Sequence, residues 1–171
     1  MKARFLGLCL LTVSATPVWA GGDHAHNHGT PSHQNGHIPV QDGIGHASAV
    51  GRPAQSGDEA RKVQVDLLDS MKFDFKEPLI LKQGDVVRFV VTNRGNLRHE
   101  FSIGDADEQK AHAEMMRQMP NMMHNDGNTV TLEAGETKEL VWQFEGDTVV
   151  FACNIPGHFE AGMFAINQIN Q

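Results

Sequence analysis

The chain has 171 residues and a formal net charge of −7, from 14 basic and 21 acidic side chains. This acidic balance excludes a protein that binds nucleic acid through a basic surface, because affinity for phosphates rests on Lys and Arg. The length suffices for a hydrophobic core that folds unaided.

The first residues have the pattern of an export signal. Lys2 and Arg4 precede an apolar stretch over 5–13, and Val18-Trp19-Ala20 forms a small-residue cleavage site. We expect cleavage after about Ala20 and a periplasmic location. The apolar stretch is shorter than the roughly 20 residues that span a bilayer, and no later segment comes near that length. The sequence therefore predicts no membrane span.

The two cysteines have different expected fates. Cys9 lies within the apolar stretch and leaves with the signal, so that Cys153 is the only cysteine of the exported chain. A lone thiol in an oxidising compartment is exposed to stepwise oxidation. Burial or a bound metal must protect it.

The segment 21–60 is rich in Gly, His, Pro, Ser and Gln and poor in large apolar residues, which predicts a disordered leader. Six of the ten histidines of the chain lie in it, at 24, 26, 28, 33, 37 and 46. Neutral imidazoles on a flexible segment can gather around copper, zinc or nickel. The alternative is a polar spacer. The predicted organisation is a signal (1–20), this leader (21–60) and one folded domain (61–171).

From residue 61 onward, apolar and polar residues alternate between turn signals, which is typical of half-buried strands. We predict strands at 62–68, 78–81, 85–92, 99–103, 128–132, 137–144, 147–153 and 163–169. Eight short strands interrupted by one helix predict an all-β, Greek-key sandwich.

The predicted helix runs from Asp105 to about Met119, with acidic residues at its start and Pro120 after its end. One face of this helix carries sulfur and imidazole, and the enrichment continues beyond the proline. The residues concerned are His112, Met115, Met116, Met119, Met122, Met123 and His124. Methionine on one helical face is usually packing material. The other interpretation is an auxiliary Cu(I) site or a soft docking surface, because thioethers select monovalent copper.

The last loop carries the strongest motif. In Cys153-Asn154-Ile155-Pro156-Gly157-His158-Phe159-Glu160-Ala161-Gly162-Met163, a thiolate, an imidazole and a thioether recur every five positions. Pro-Gly supplies the turn that lets one ion be wrapped by residues so close in sequence. These are ligands that copper prefers, and a second imidazole, available upstream at His99, completes a trigonal site with a weak axial sulfur. A buried structural cysteine with incidental neighbours is the alternative.

Together, His99 in Asn96-Leu97-Arg98-His99-Glu100-Phe101 and the Cys-x4-His-x4-Met loop resemble the type 1 copper signature of the cupredoxins, the family of plastocyanin and azurin. The Cys-x4-His-x4-Met spacing differs from the shorter Cys-to-His interval of plastocyanin. It resembles the spacing in auracyanin and in the type 1 sites of multicopper oxidases. The export signal, His-rich leader and Met-rich insertion are similar to those of periplasmic copper-tolerance cupredoxins of bacteria.

This resemblance implies one copper ion that cycles between Cu(I) and Cu(II) at a centre made by His99, Cys153, His158 and Met163. Glu100 is the nearest candidate for a carboxylate that orients a ligand, and the alternative, since strands alternate, is that it points to solvent. Backbone amides near Asn93 and Asn154 are candidate donors to the sulfur. The chain shows no second catalytic constellation, so we expect no enzyme.

Two functions follow from the sequence. The first is copper binding for tolerance, with additional copper at the leader or the Met-rich segment. The second is a soluble electron carrier between redox enzymes, which would need a redox protein partner. The abundance of His and Met favours the first.

Overall fold

The computed structural model describes residues 48–54 and 60–171. The predicted signal and the six leader histidines lie outside the described residues. The predicted all-β sandwich is confirmed: within the described ranges, two five-stranded sheets form the fold, and one helix lies between their strands in sequence.

The first sheet has the strand order β1-β8-β5-β2-β3. Its strands are β1 (Gly51–Pro53), β2 (Arg61–Leu68), β3 (Lys72–Phe75), β5 (Val86–Asn93) and β8 (Thr137–Phe144). The pair β2 and β5 is parallel, and the other neighbours are antiparallel. Parallel neighbours require a crossover connection, which here passes through the second sheet by way of β4 (Leu81–Lys82).

The second sheet has the order β4-β10-β9-β6-β7. Its strands are β4 (Leu81–Lys82), β6 (His99–Gly104), β7 (Thr129–Leu132), β9 (Thr148–Ala152) and β10 (Phe164–Asn170). The strand β6 lies between β7 and β9, which places it inside the sheet. Both faces of β6 are covered, since all six of its residues are buried.

The core between the sheets is aromatic. Phe89 of the first sheet contacts Phe101 and Phe151 of the second, at ring-centroid distances of 5.3 and 5.5 Å. Phe101 and Phe151 themselves stack at 5.3 Å. Such rings bury large apolar areas and prefer these offset and edge-to-face arrangements. The core therefore holds β6 in a fixed register with β9, the strand that precedes the last loop.

The helix α1 (Ala106–Gln118) begins with a reciprocal capping box. The Asp105 side chain accepts from the Glu108 amide at 2.8 Å, and the Glu108 side chain accepts from the Asp105 amide at 2.8 Å. On the helix, the buried Gln109 side chain donates to the carbonyls of Ser102 and Val150. These bonds hold α1 against the outer face of the second sheet, and the predicted helix is confirmed.

Three details differ from the prediction. The strand β1 lies within the segment predicted to be a disordered leader, yet it pairs with β8, and the buried Trp142 indole donates to the Val50 carbonyl at 3.2 Å. The strand β3 was not predicted, and β4 is only two residues long. Within the described part of the chain, no helix is long and apolar enough to cross a membrane.

Candidate metal centre

The strand β6 presents consecutive residues to opposite faces of its sheet, as the alternation of a β-strand requires. Phe101 and Ile103 belong to the core between the sheets, and His99 lies on that same side. Glu100 and Ser102 lie on the other side, beneath α1. Both His99 and Glu100 are fully buried, so neither polar side chain is hydrated by bulk water.

The loop between β9 and β10 closes on itself through its backbone. The Cys153 amide donates to the Met163 carbonyl at 3.0 Å, and the Met163 amide donates to the His158 carbonyl at 3.0 Å. The turn at Gly157 has a φ of +91°, a left-handed conformation that favours glycine. These bonds bring the beginning, middle and end of the loop together, and the side chains of Cys153 and Met163 are fully buried.

Three of the four predicted ligands converge. The donor atoms of His99, Cys153 and His158 lie within 4.8 Å of one another. The Cys153 Sγ is 3.3 Å from the His158 Nδ1, and the two imidazole centroids are 5.0 Å apart. A nitrogen and a sulfur bound to one ion at about 2.0 and 2.3 Å lie roughly 3.3 to 3.7 Å apart, so the observed separation fits a shared ion.

His99 is oriented by a carboxylate that the sequence did not single out. Its Nε2 lies 3.1 Å from the Asp69 Oδ1. Its Nδ1 is buried and has no hydrogen-bond partner among the described residues. A metal-binding imidazole is commonly held in this way, with one nitrogen anchored to a carboxylate and the other directed at the ion. The expectation that Glu100 orients a ligand of this centre is therefore wrong, since Asp69 holds that position.

Asp69 is itself fixed by the backbone. It lies in the turn between β2 and β3 and accepts from the amides of Asn96 at 2.8 Å and Leu97 at 3.2 Å. The hydrogen bond from Asn96 is the largest influence that lowers the Asp69 pKa to about 2. Asn93 supports the same loop, since its side chain donates to the Leu97 carbonyl at 2.7 Å. A charged carboxylate thus holds the His99 ring from a rigid turn.

The sulfur of Cys153 accepts a hydrogen bond from the Glu100 amide, at 3.3 Å. A second hydrogen bond comes from the backbone of Ile155, next to Asn154, so a donor expected near Asn154 is found. The Asn93 amide donates to the Glu136 carbonyl instead, so the donor expected there is not. Burial raises the pKa of the Cys153 thiol to about 12. Without a metal the thiol is protonated, and a metal ion must displace that proton to gain the thiolate.

The methionines of the Met-rich segment differ in how deeply their side chains are buried. Met116 is a fully buried residue of α1, which makes it packing material, whereas Met119 and Met123 are 43% and 53% exposed. The two histidines of this segment meet a residue of β6 instead. The donor atoms of Glu100, His112 and His124 lie within 4.8 Å of one another, a group that the sequence did not assemble.

Comparisons with solved structures define the class of fold. Auracyanin from Roseiflexus castenholzii superposes with a TM-score of 0.54 at 18% identity, over 66% of this chain and 99% of that one. Auracyanin B gives 0.56 at 20% identity, over 71% and 97%. Auracyanins are cupredoxins, so the fold is that of a cupredoxin. No family model matches the sequence.

The curated relatives are more specific. A "copper-resistant cuproprotein CopI" of Vibrio cholerae is 48% identical over 168 residues, which is 95% of this chain and 96% of the relative. The CopI of Rubrivivax gelatinosus is 41% identical over 95% and 96%. The chain therefore belongs to the CopI family of copper-resistant cuproproteins.

Proposed function

We propose that this protein binds copper in the periplasm as part of copper resistance, at one type 1 centre made by His99, Cys153, His158 and Met163. The observation that carries the proposal is the meeting of two imidazole nitrogens and one thiol sulfur, with the His99 Nδ1 buried and unpartnered within the described structure. The names of the CopI relatives support copper as the ion and resistance as the role.

The ligands of the proposed centre are preorganised for copper. Burial lowers the pKa of His158, with a further contribution from His99, so its imidazole is neutral and free to coordinate near pH 7. Asp69 holds the His99 ring, and the Glu100 amide is directed at the sulfur. Ligand atoms fixed in this way would move little when bound copper gains or loses an electron. Bound copper would supply one-electron chemistry between Cu(I) and Cu(II).

Met163 is proposed as the weak axial ligand. Its side chain is fully buried, and its backbone is bonded to both Cys153 and His158. A thioether in this position tunes the reduction potential, and the site can still bind both Cu(I) and Cu(II). We assign the protein binding and electron exchange, and no turnover of a small molecule.

Export and the leader are further parts of the proposal. The basic residues, apolar stretch and small-residue site of 1–20 support removal of a signal, and the leader histidines support capture of additional copper. Changing all six leader histidines to Gln should lower both the copper bound per chain and the survival of the host in copper. Unchanged values for both would make the leader a spacer.

The central experiment is titration of the purified exported chain with Cu(II), followed by optical and EPR spectroscopy. We expect an intense visible thiolate-to-copper band in the parent protein and its complete loss in Cys153→Ser. The matched control is Met116→Leu, which removes a buried sulfur outside the centre and should keep the band.

The same variants should be compared in a host that lacks the native protein. Cys153→Ser should lower survival in copper, and Met116→Leu should not. A visible band that persists in Cys153→Ser would remove this residue from the ligand set. If the host with Cys153→Ser survived in copper as well as the host with the parent protein, the centre would not be needed for resistance.

A further inference from the structure

A second group of metal-ligand side chains lies on the helix side of β6. Glu100 comes from the strand, His112 from α1, and His124 from the segment before β7. Their donor atoms all lie within 4.8 Å of one another, and the two imidazole centroids are 4.8 Å apart at an interplanar angle of 72°. Three separate elements of the fold therefore direct donors to one point.

Both histidines are anchored through one nitrogen. The His124 Nδ1 lies 2.8 Å from the Asp126 Oδ2, and its backbone amide donates to the Thr131 hydroxyl at 2.8 Å. The His112 Nδ1 is 3.5 Å from the Ser102 hydroxyl. In each ring the Nε2 is buried and has no hydrogen-bond partner within the described ranges. This is the arrangement seen at His99, with the two ring nitrogens exchanged.

Of the two carboxyl oxygens of Glu100, one is also anchored and the other has no partner among the described residues. Its Oε1 accepts from the Asn154 amide at 3.3 Å and lies 3.5 Å from the His112 Nε2, outside hydrogen-bond geometry. Its Oε2 is buried and unpartnered in the described part of the molecule. The carboxyl group is 0% exposed. A buried oxygen without a partner loses its hydration and gains no hydrogen bond in return, so this arrangement is unfavourable unless something compensates it.

A simple ion pair does not account for the group. An ion pair would bring a ring nitrogen into a direct hydrogen bond with the carboxylate, whereas three donor atoms here have no partner among the described residues. A cation between them would satisfy all three at once.

We propose that Glu100, His112 and His124 form a second metal site, which binds a divalent first-row transition ion separately from the Cys153 centre. Two imidazoles and one carboxylate, without sulfur, suit Cu(II) or Zn(II), and Cu(II) binds more strongly to such a donor set. Three protein ligands also leave coordination positions for water. The two centres are linked by one residue, since the Glu100 amide donates to the Cys153 sulfur.

The test uses the full exported chain in the Cys153→Ser background, which removes the thiolate centre. Cu(II) is added in excess, weakly bound metal is removed, and the copper per chain is measured together with the EPR spectrum. His112→Gln and His124→Gln, each made in this background, should bind one copper fewer than the background protein. They should also lose an EPR signal with a wide parallel hyperfine splitting. Copper at the leader is common to all variants and cancels in the comparison.

The matched control is Glu114→Gln, which removes an exposed carboxylate from the same helix and should leave the copper count unchanged. Asp126→Asn should weaken Cu(II) at the second site by about 10- to 100-fold, since it loosens only the anchor of His124. Folding is checked with Cys153 restored, where the visible band must persist. An equal copper count and an unchanged EPR spectrum in all of these variants would overturn the proposal.

Discussion

The two faces of β6 give two different metal-ligand groups from adjacent residues. His99 lies on the side of the aromatic core and forms the core-side group with Cys153 and His158. Glu100 lies on the side of α1 and forms the helix-side group with His112 and His124. The first group contains a thiol and a nearby thioether. The second has only nitrogen and oxygen donors.

If both proposed sites bind copper, one strand separates two kinds of copper chemistry. Soft sulfur ligands hold copper in both oxidation states, whereas imidazole and carboxylate favour the divalent ion. Each group is preorganised by a carboxylate outside it, Asp69 for His99 and Asp126 for His124. The Glu100 backbone connects the groups, because its amide donates to the Cys153 sulfur.

The largest expected effect separates the two groups completely. Cys153→Ser should abolish the visible band, because Cys153 is the only cysteine among the described residues, yet it should keep Cu(II) at Glu100, His112 and His124. Optical and EPR spectra of the same sample report both. Loss of both signals in a folded variant would show that the groups are not separate sites.

A smaller effect is expected from the carboxylate that orients His99. Asp69→Asn should weaken copper at the core-side group by about 10- to 100-fold, because the ring loses its charged anchor. Competition with a Cu(II) chelator measures the change. The matched control is Asp74→Asn, an exposed carboxylate of β3. Equal affinity in the two variants would make the contact between Asp69 and His99 irrelevant to binding.

The axial position should affect the potential more than the affinity. Met163→Leu keeps a similar apolar volume and should give a coloured protein with a raised reduction potential, because the thioether that stabilises Cu(II) is gone. A redox titration followed at the visible band measures this shift. A potential equal to that of the parent would remove Met163 from the ligand set.

The smallest expected effect tests the connection between the groups. Zn(II) added to protein that carries copper only at His99, Cys153 and His158 should shift the visible band without removing it, because a cation bound by Glu100 changes the charge beside the Cys153 sulfur. In His112→Gln the band should not move. A band that stays fixed in the parent protein, with Zn(II) shown to be bound at Glu100, would mean that the groups do not influence each other.

The core-side group was predictable because its sequence signal is local. Cys153, His158 and Met163 lie within one turn-rich loop, and only His99 had to be placed from a distance, by resemblance. Asp69 could not be found in this way. An aspartate after a strand is an ordinary turn residue, and its contact with His99, 30 positions away, depends on how the β2–β3 turn meets the segment before β6.

The helix-side group was not predictable, because its assembly depends on tertiary packing, as does the contact between Asp69 and His99. His112 and His124 were noticed as parts of a Met-rich surface, and Glu100 as a neighbour of His99. Their meeting depends on the orientation of α1 on the sheet and on the pairing of Asn125 with Val130, which places His124 next to β7. Neither leaves a periodic pattern in the sequence.

The main strands followed from alternation, and the exceptions are short. In β3, Phe73 and Phe75 alternate with charged residues over only four positions, too few to distinguish from a turn. In β1, Gly51-Arg52-Pro53 has no apolar alternation, and its position is set by pairing with β8 and by the contact of Trp142 with Val50. Tertiary contacts, more than local preference, define these two strands.

The most direct test of two groups on one strand is anomalous diffraction at the copper edge from crystals of the copper-loaded chain. We predict one peak within about 2.0 to 2.3 Å of donor atoms of His99, Cys153 and His158, and a second at a similar distance from Glu100, His112 and His124. A fully loaded crystal with no peak at either group, or with a single peak at the core-side group, would contradict this account of β6.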